Sequence, residues 1–197
     1  MRTVPVFLLC LIPAAALCEP PKHDSAPKRN ITLCYETFLD PLVVKGANAI
    51  VAKIYAGIGV EAKFIYKMRS CPTGSLIVHL HDSTPVNRYP GALGYSEPYE
   101  GIHVEVFYDR IVESHDKTMI RTVLAHVVVH ESAHLLEAVA RHSDEGMMKA
   151  HWRNADFAEM RVHSLPFAPI DIQLVQAGID RRALRTATSN PSTSSRR

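Results

Sequence analysis

The sequence predicts an α+β domain: a mixed, twisted sheet with a helix packed on it, a second long helix, and further helices at the C-terminal end. Three observations predict it. Apolar runs of strand length, alternating or continuous, recur at 31–38, 60–66, 76–80 and 102–108. The first two flank a helical pattern over 43–56, with Ile50, Val51, Ile54 and Tyr55 on one side. After the last strand comes a long, largely apolar stretch, 120–136, of helix length. Strand, helix, strand, more strands and then a long helix imply a mixed sheet with helices laid on it.

The elements follow in order along the chain. Residues 1–18 read as a secretory signal peptide: Met1-Arg2 is a short basic start, 4–17 is apolar, and Ala14-Ala15-Ala16-Leu17-Cys18 offers small residues for cleavage after Ala16 or Cys18. Residues 19–29 are polar and proline-rich (Pro20, Pro21, Pro27) and read as a flexible leader. One domain's worth of sequence, 30–185, follows and is long enough to bury its own core. Gly57-Ile58-Gly59 ends the first helix, and a loop holding Pro90, Gly91, Gly94 and Pro98 precedes the 102–108 strand. Ser114 or Asp116 is placed to cap the long helix. Two more helices are expected at 154–162 and 168–184, the latter with Gly178 as a point of interruption. The Ser/Thr-rich tail, 186–197, has no apolar periodicity and reads as disordered.

Composition narrows the class. A formal charge of +2 makes no case for nucleic acid binding. Apart from the N-terminal segment, no apolar run reaches the roughly 20 residues of a membrane helix, so the mature chain is expected without a membrane anchor, secreted or periplasmic. Cys10 and Cys18 belong to or border the signal segment, leaving Cys34 and Cys71. These are either two buried thiols or, as an oxidising compartment favours, one disulfide worth about 3–4 kcal/mol in the chain-entropy model. Asn30-Ile31-Thr32 is formally a glycosylation acceptor, meaningful only in a eukaryotic secretory pathway.

The chemistry concentrates at His130-Glu131-Ser132-Ala133-His134. Residues four apart share a helix face, so the two imidazoles can converge on one metal ion. Zn²⁺ takes neutral imidazole nitrogen and prefers four ligands, and Glu131 lies where its carboxylate can reach a water on the metal. This is the H-E-x-x-H arrangement of zinc-dependent peptidases, with Glu131 as general base. The rest of 120–136 is largely apolar, so unpartnered His and Glu side chains there would cost about 1–3 kcal/mol each, a cost that a metal relieves. His126 falls on the same stripe one turn earlier and reads as a packing residue.

A third ligand must come from further along. His142 offers an imidazole just before the polar turn Ser143-Asp144-Glu145-Gly146 and Met147-Met148. A straight helix would carry His142 about 12 Å beyond His134, too far to share an ion. The chain must therefore leave the helix between Glu137 and Arg141 without a glycine. The alternatives are carboxylates: Glu137, one turn beyond His134, or Glu159 or Asp156 on the later helix in a two-His-one-carboxylate site.

The segment HESAHLLEAVARHSDEGMMKAHW resembles the metzincin group of zinc peptidases, and most of all small secreted bacterial zincins with HExxH, seven residues, His-Ser, Gly-x-Met and a nearby Trp. In this chain those positions are His130, Glu131, His134, His142, Ser143, Gly146, Met148 and Trp152. The resemblance implies a zincin-like fold, a zinc ion on His130, His134 and His142, Glu131 as the base, and a methionine floor from Met148 or its neighbour Met147. It also implies a peptide or protein substrate lying extended along an edge strand near 92–95, with Leu93-Gly94 by the scissile bond. Two features depart from the metzincin pattern: seven residues rather than five separate the last two histidines, and Glu137 stands where a glycine is usual. Ala150 replaces a tyrosine that many metzincins carry two residues after the turn methionine.

Overall fold

The computed structural model describes residues 28–36, 39–66 and 70–189. The proposed signal peptide, most of the leader and residues 190–197 of the tail lie outside them. The described chain forms five strands and five helices: β1 (Arg29–Tyr35), α1 (Pro41–Gly57), β2 (Val60–Tyr66), β3 (Leu76–His81), β4 (Gly94–Ser96), β5 (His103–Phe107), α2 (Tyr108–Ser114), α3 (Ile120–Glu137), α4 (Asn154–Met160) and α5 (Pro169–Ser189). They make one mixed sheet in the order β2-β1-β3-β5-β4, parallel except for β4, which runs antiparallel at the edge. The α+β expectation holds.

Local chemistry sets the element ends. Asp40 caps α1, its carboxylate accepting from the N–H groups of Leu42 and Val43 at 3.2 Å, with Pro41 in the first turn. At the other end Gly59 takes φ +73° and turns the chain into β2. Alternate residues of the parallel strands (Leu33, Tyr35, Val78, Leu80, Val104, Val106) are buried on one face, where α1 and α3 pack. Each such Val or Leu contributes about 1.5–3 kcal/mol by leaving water. Cys34 of β1 is bridged to Cys71, with a Cα–Cα distance of 5.8 Å, so of the two thiol states the sequence leaves open, the bridge is the one present.

Four expectations need correction. The first strand occupies 29–35 rather than 31–38 and so begins within the expected leader. Residues 108–114 form a helix that the sequence reading did not assign. Neither Ser114 nor Asp116 caps α3: Ser114 closes α2, and Met119 is the N-cap residue without a side-chain bond. Asp116 instead holds the preceding turn, its carboxylate accepting from the backbone and hydroxyl of Thr118 and its carbonyl from Met119 N–H. Finally, α5 runs unbroken through Gly178 to Ser189, four residues into the expected tail. A Cβ at position 178 would sit 1.7 Å from the Leu136 carbonyl oxygen. That glycine therefore permits close approach of α5 to the end of α3 and is no interruption. The Thr186 and Thr188 hydroxyls are satisfied within the helix, donating back to carbonyls at 182, 184 and 185. Among the described residues no helix is long and apolar enough to cross a membrane.

Candidate metal centre

Helix α3 is buried on nearly every side, packed on α1, α5, β4 and β5. A helix surrounded this way can be apolar all round, and its polar residues then need specific partners. His126 has two: Nδ1–H donates to the Thr122 carbonyl at 2.7 Å, and Nε2 accepts from Leu165 N–H at 3.1 Å. Both nitrogens are occupied by protein, so His126 is the packing residue expected.

His130 differs. Its Nδ1–H donates to the Met147 carbonyl at 2.9 Å, which leaves Nε2 as a bare lone pair. That Nε2 lies 3.1 Å from His134 Nε2, and His134 Nδ1 is buried with no well-formed hydrogen bond. His142 joins from the following loop, its ring centroid 5.4 Å from His130 and 4.8 Å from His134. One nitrogen from each ring falls within 4.8 Å of the others, and among the described residues these three are the group placed to hold a metal. Burial, reinforced by the other imidazoles of the cluster, depresses His130 to about 4 and His134 to about 3, and burial with His151 and Arg141 nearby lowers His142. Neutral rings with lone pairs converging on one point are the state that a cation requires.

The carboxylate alternatives fall away. Glu159 is exposed on α4 and outside the cluster. Asp156 is engaged by Lys149 Nζ at 2.7 and 2.9 Å. The Glu137 side chain is fully buried without a hydrogen bond, 3.7 Å from Arg141 Nη1, and lies outside the donor group. Burial, then the nearby Asp171, push its carboxyl up to about 7.

The chain leaves α3 at Ala138, whose backbone is left-handed at φ 57° and ψ 35° and whose N–H returns to the His134 carbonyl at 3.0 Å. This is the glycine-free exit that the spacing demands. Beyond His142, Ser143 N–H donates to Met148 O at 2.8 Å and Met147 N–H to Pro166 O at 2.8 Å, closing a tight turn. Gly146 (φ +75°) is required in that turn, since a Cβ would stand 2.3 Å from the Pro166 oxygen. Both Met147 and Met148 are fully buried.

Glu131 is buried beside the histidines. Ser96 Oγ, from β4, lies 2.8 Å from Glu131 Oε2 and 3.0 Å from its carbonyl oxygen. Burial pushes this carboxyl up to about 7, against the Ser96 hydrogen bond, which favours the charge. Strand β4 comes this close because position 94 is glycine: a Cβ there would be 2.7 Å from Val127 Cγ1 and 2.9 Å from Glu131 Cγ. Ser96 carries no motif that would mark it in the sequence. The histidines and Glu131 line an open groove of about 860 Å³ together with β4, Trp152 and Phe157. The Trp152 ring meets His130 edge-on at 5.4 Å between centroids.

No protein-family model and no curated protein matches this chain. Among solved structures, it is similar to archaemetzincin from Methanopyrus kandleri at 13% identity, with a TM-score of 0.54, over 77% of this chain and 96% of that one. The likeness is one of fold, to which this chain brings a mixed five-stranded sheet with helices packed on it.

Proposed function

We propose that this protein is a secreted zinc-dependent metallopeptidase, an endopeptidase acting on extended peptides or proteins, with His130, His134 and His142 as ligands and Glu131 as general base. The carrying observation is the convergence of three neutral imidazoles, within 4.8 Å, beside a buried carboxylate at the floor of an open groove. The residues fit zinc on their own chemistry. The His130 lone pair is fixed by the Met147 carbonyl and faces the His134 nitrogen at 3.1 Å, an arrangement that a shared cation satisfies. An all-imidazole set with no thiolate is typical of a site that keeps a position open, whereas structural sites usually close with cysteine. When bound, zinc supplies the Lewis acidity that acidifies a water and polarises a carbonyl.

The chain's own groups supply the rest. Glu131, buried beside the histidines and lining the groove, takes the proton from the attacking water and gives it to the leaving amine. Ser96 holds one carboxylate oxygen, so the other is free for the proton. Among the described residues β4 pairs only with β5, so its other edge is unpaired and can take an extended peptide beside Glu131, which Gly94 and Ser96 approach. The Cys34–Cys71 bridge supports an exported protein.

Replacing the base tests this reading. Glu131→Ala is expected to keep its metal and to hydrolyse peptides at least 10²-fold more slowly, the lower end of what general base catalysis contributes, about 10²–10⁴-fold. Wild-type turnover by that variant would contradict the assignment.

A further inference from the structure

We propose that Asp171, at the start of α5, is the positioning residue for the third imidazole, and that it acts through both chain neighbours of His142. The inference rests on the reading that the three histidines hold a metal. Unlike His130, which is oriented by the Met147 carbonyl, the His142 ring makes no hydrogen bond among the described residues, and it is the exposed member of the cluster. It also sits on a loop with no glycine between the end of α3 and Gly146. Metal-ligating imidazoles are ordinarily oriented by a hydrogen bond to the ring. Here the backbone on either side must do that work.

Both flanks converge on one carboxylate. Asp171 is fully buried. Its Oδ1 accepts from Arg141 Nη1, the residue before His142. Ser143 Oγ, the residue after it, lies 2.8 Å from both Asp171 oxygens, and Arg141 Nη2 donates to that hydroxyl at 3.1 Å. The serine thus accepts from Arg141 and donates to Asp171, closing a triangle around the ligand's backbone. Asp171 is itself fixed by Ala168 N–H at 3.3 Å, and Arg141 also stands 3.7 Å from Glu137 at the end of α3. The loop is therefore tied to the helix that carries the other two ligands and to α5, which Gly178 seats against the end of α3. Hydrogen bonds to a buried carboxylate are charge-assisted and fix the geometry of their donors, here one on each side of His142.

The test is zinc affinity of the full chain, measured by competition with a chromophoric chelator for wild type, Asp171→Asn, Ser143→Ala, His142→Ala and the Asp171→Asn/His142→Ala double variant. Circular dichroism and melting of the metal-free proteins establish folding. Asp171→Asn is expected to weaken zinc about 10–100-fold, the usual cost of losing a group that orients a ligand, and Ser143→Ala to weaken it less, in the same direction. In the His142→Ala background Asp171→Asn should change affinity by no more than about twofold, because its effect passes through a ligand already removed. The cobalt(II) form of Asp171→Asn should show the visible spectrum of the His142→Ala protein rather than that of wild type.

Each contrary result has a distinct meaning. Wild-type affinity in a folded Asp171→Asn, with affinity lost in His142→Ala, overturns the positioning role alone. Equal weakening by Asp171→Asn in both backgrounds shows a general effect on the fold and also overturns it. Wild-type affinity in His142→Ala overturns the three-histidine reading beneath it. Should Asp171→Asn not fold, Ser143→Ala decides: unchanged affinity there rejects the proposal.

Discussion

Ala138 returns its N–H to the His134 carbonyl at 3.0 Å from a left-handed backbone, φ 57°. The left-handed backbone at Ala138 ends the helix that carries His130 and His134 and starts the turn that brings His142 back to them. A non-glycine residue in this region carries about 1–2 kcal/mol of steric cost, and only the surrounding structure holds it there.

Relieving that cost should stabilise the protein. Ala138→Gly removes the clash, and the glycine's extra freedom in the unfolded chain costs about 0.5–1 kcal/mol in return. The balance predicts a net gain of about 0.5–1 kcal/mol in urea unfolding. Because Ala138 is exposed, little packing is lost. Zinc affinity should stay within a few fold of wild type, since the backbone path is the one that glycine prefers.

The buried Glu137 predicts a pH dependence of stability. Burial and Asp171 raise its carboxyl from 4.5 to about 7 in the folded protein. Between those values the unfolded chain releases a proton that the folded chain keeps, so stability falls as pH rises from 4.5 to 7 and is level above. Glu131, raised to about 7, adds the same sign in the metal-free protein. His130 and His134, lowered to about 4 and 3, act oppositely below their ordinary value, because there the unfolded chain binds protons that the folded chain does not. A difference measurement isolates Glu137. The stability of metal-free Glu137→Gln relative to wild type should grow from pH 5 to pH 8 by on the order of 2 kcal/mol. A difference that is flat with pH would contradict the burial argument.

How much of this was legible in the sequence follows from how local each determinant is. Strand β2 and helix α1 are set by periodicity within their own residues, and both appear where the pattern placed them. Helix α2 was missed because its seven residues follow β5 directly, with no break and too few turns to show a period. The HExxH cluster was legible because helical spacing alone brings His130 and His134 together. The route to His142 was legible only as a requirement: the helix had to end without glycine. Ala138 meets that requirement, and the residues packed around the exit, Asp171 and Gly178, come from about 30–40 residues away. Locally, Asp171 is a first-turn helix carboxylate and Gly178 a helix breaker. Ser96 sits on a three-residue edge strand, and nothing near it in the chain points to Glu131.

The most direct test of the account is the zinc content of the purified protein, by elemental mass spectrometry, beside a His142→Ala variant. The three-histidine centre predicts about one zinc per wild-type chain and a sharp reduction in the variant. Full zinc in both would place the third ligand elsewhere, and a folded wild type that neither carries zinc nor accepts it would contradict the metal centre altogether.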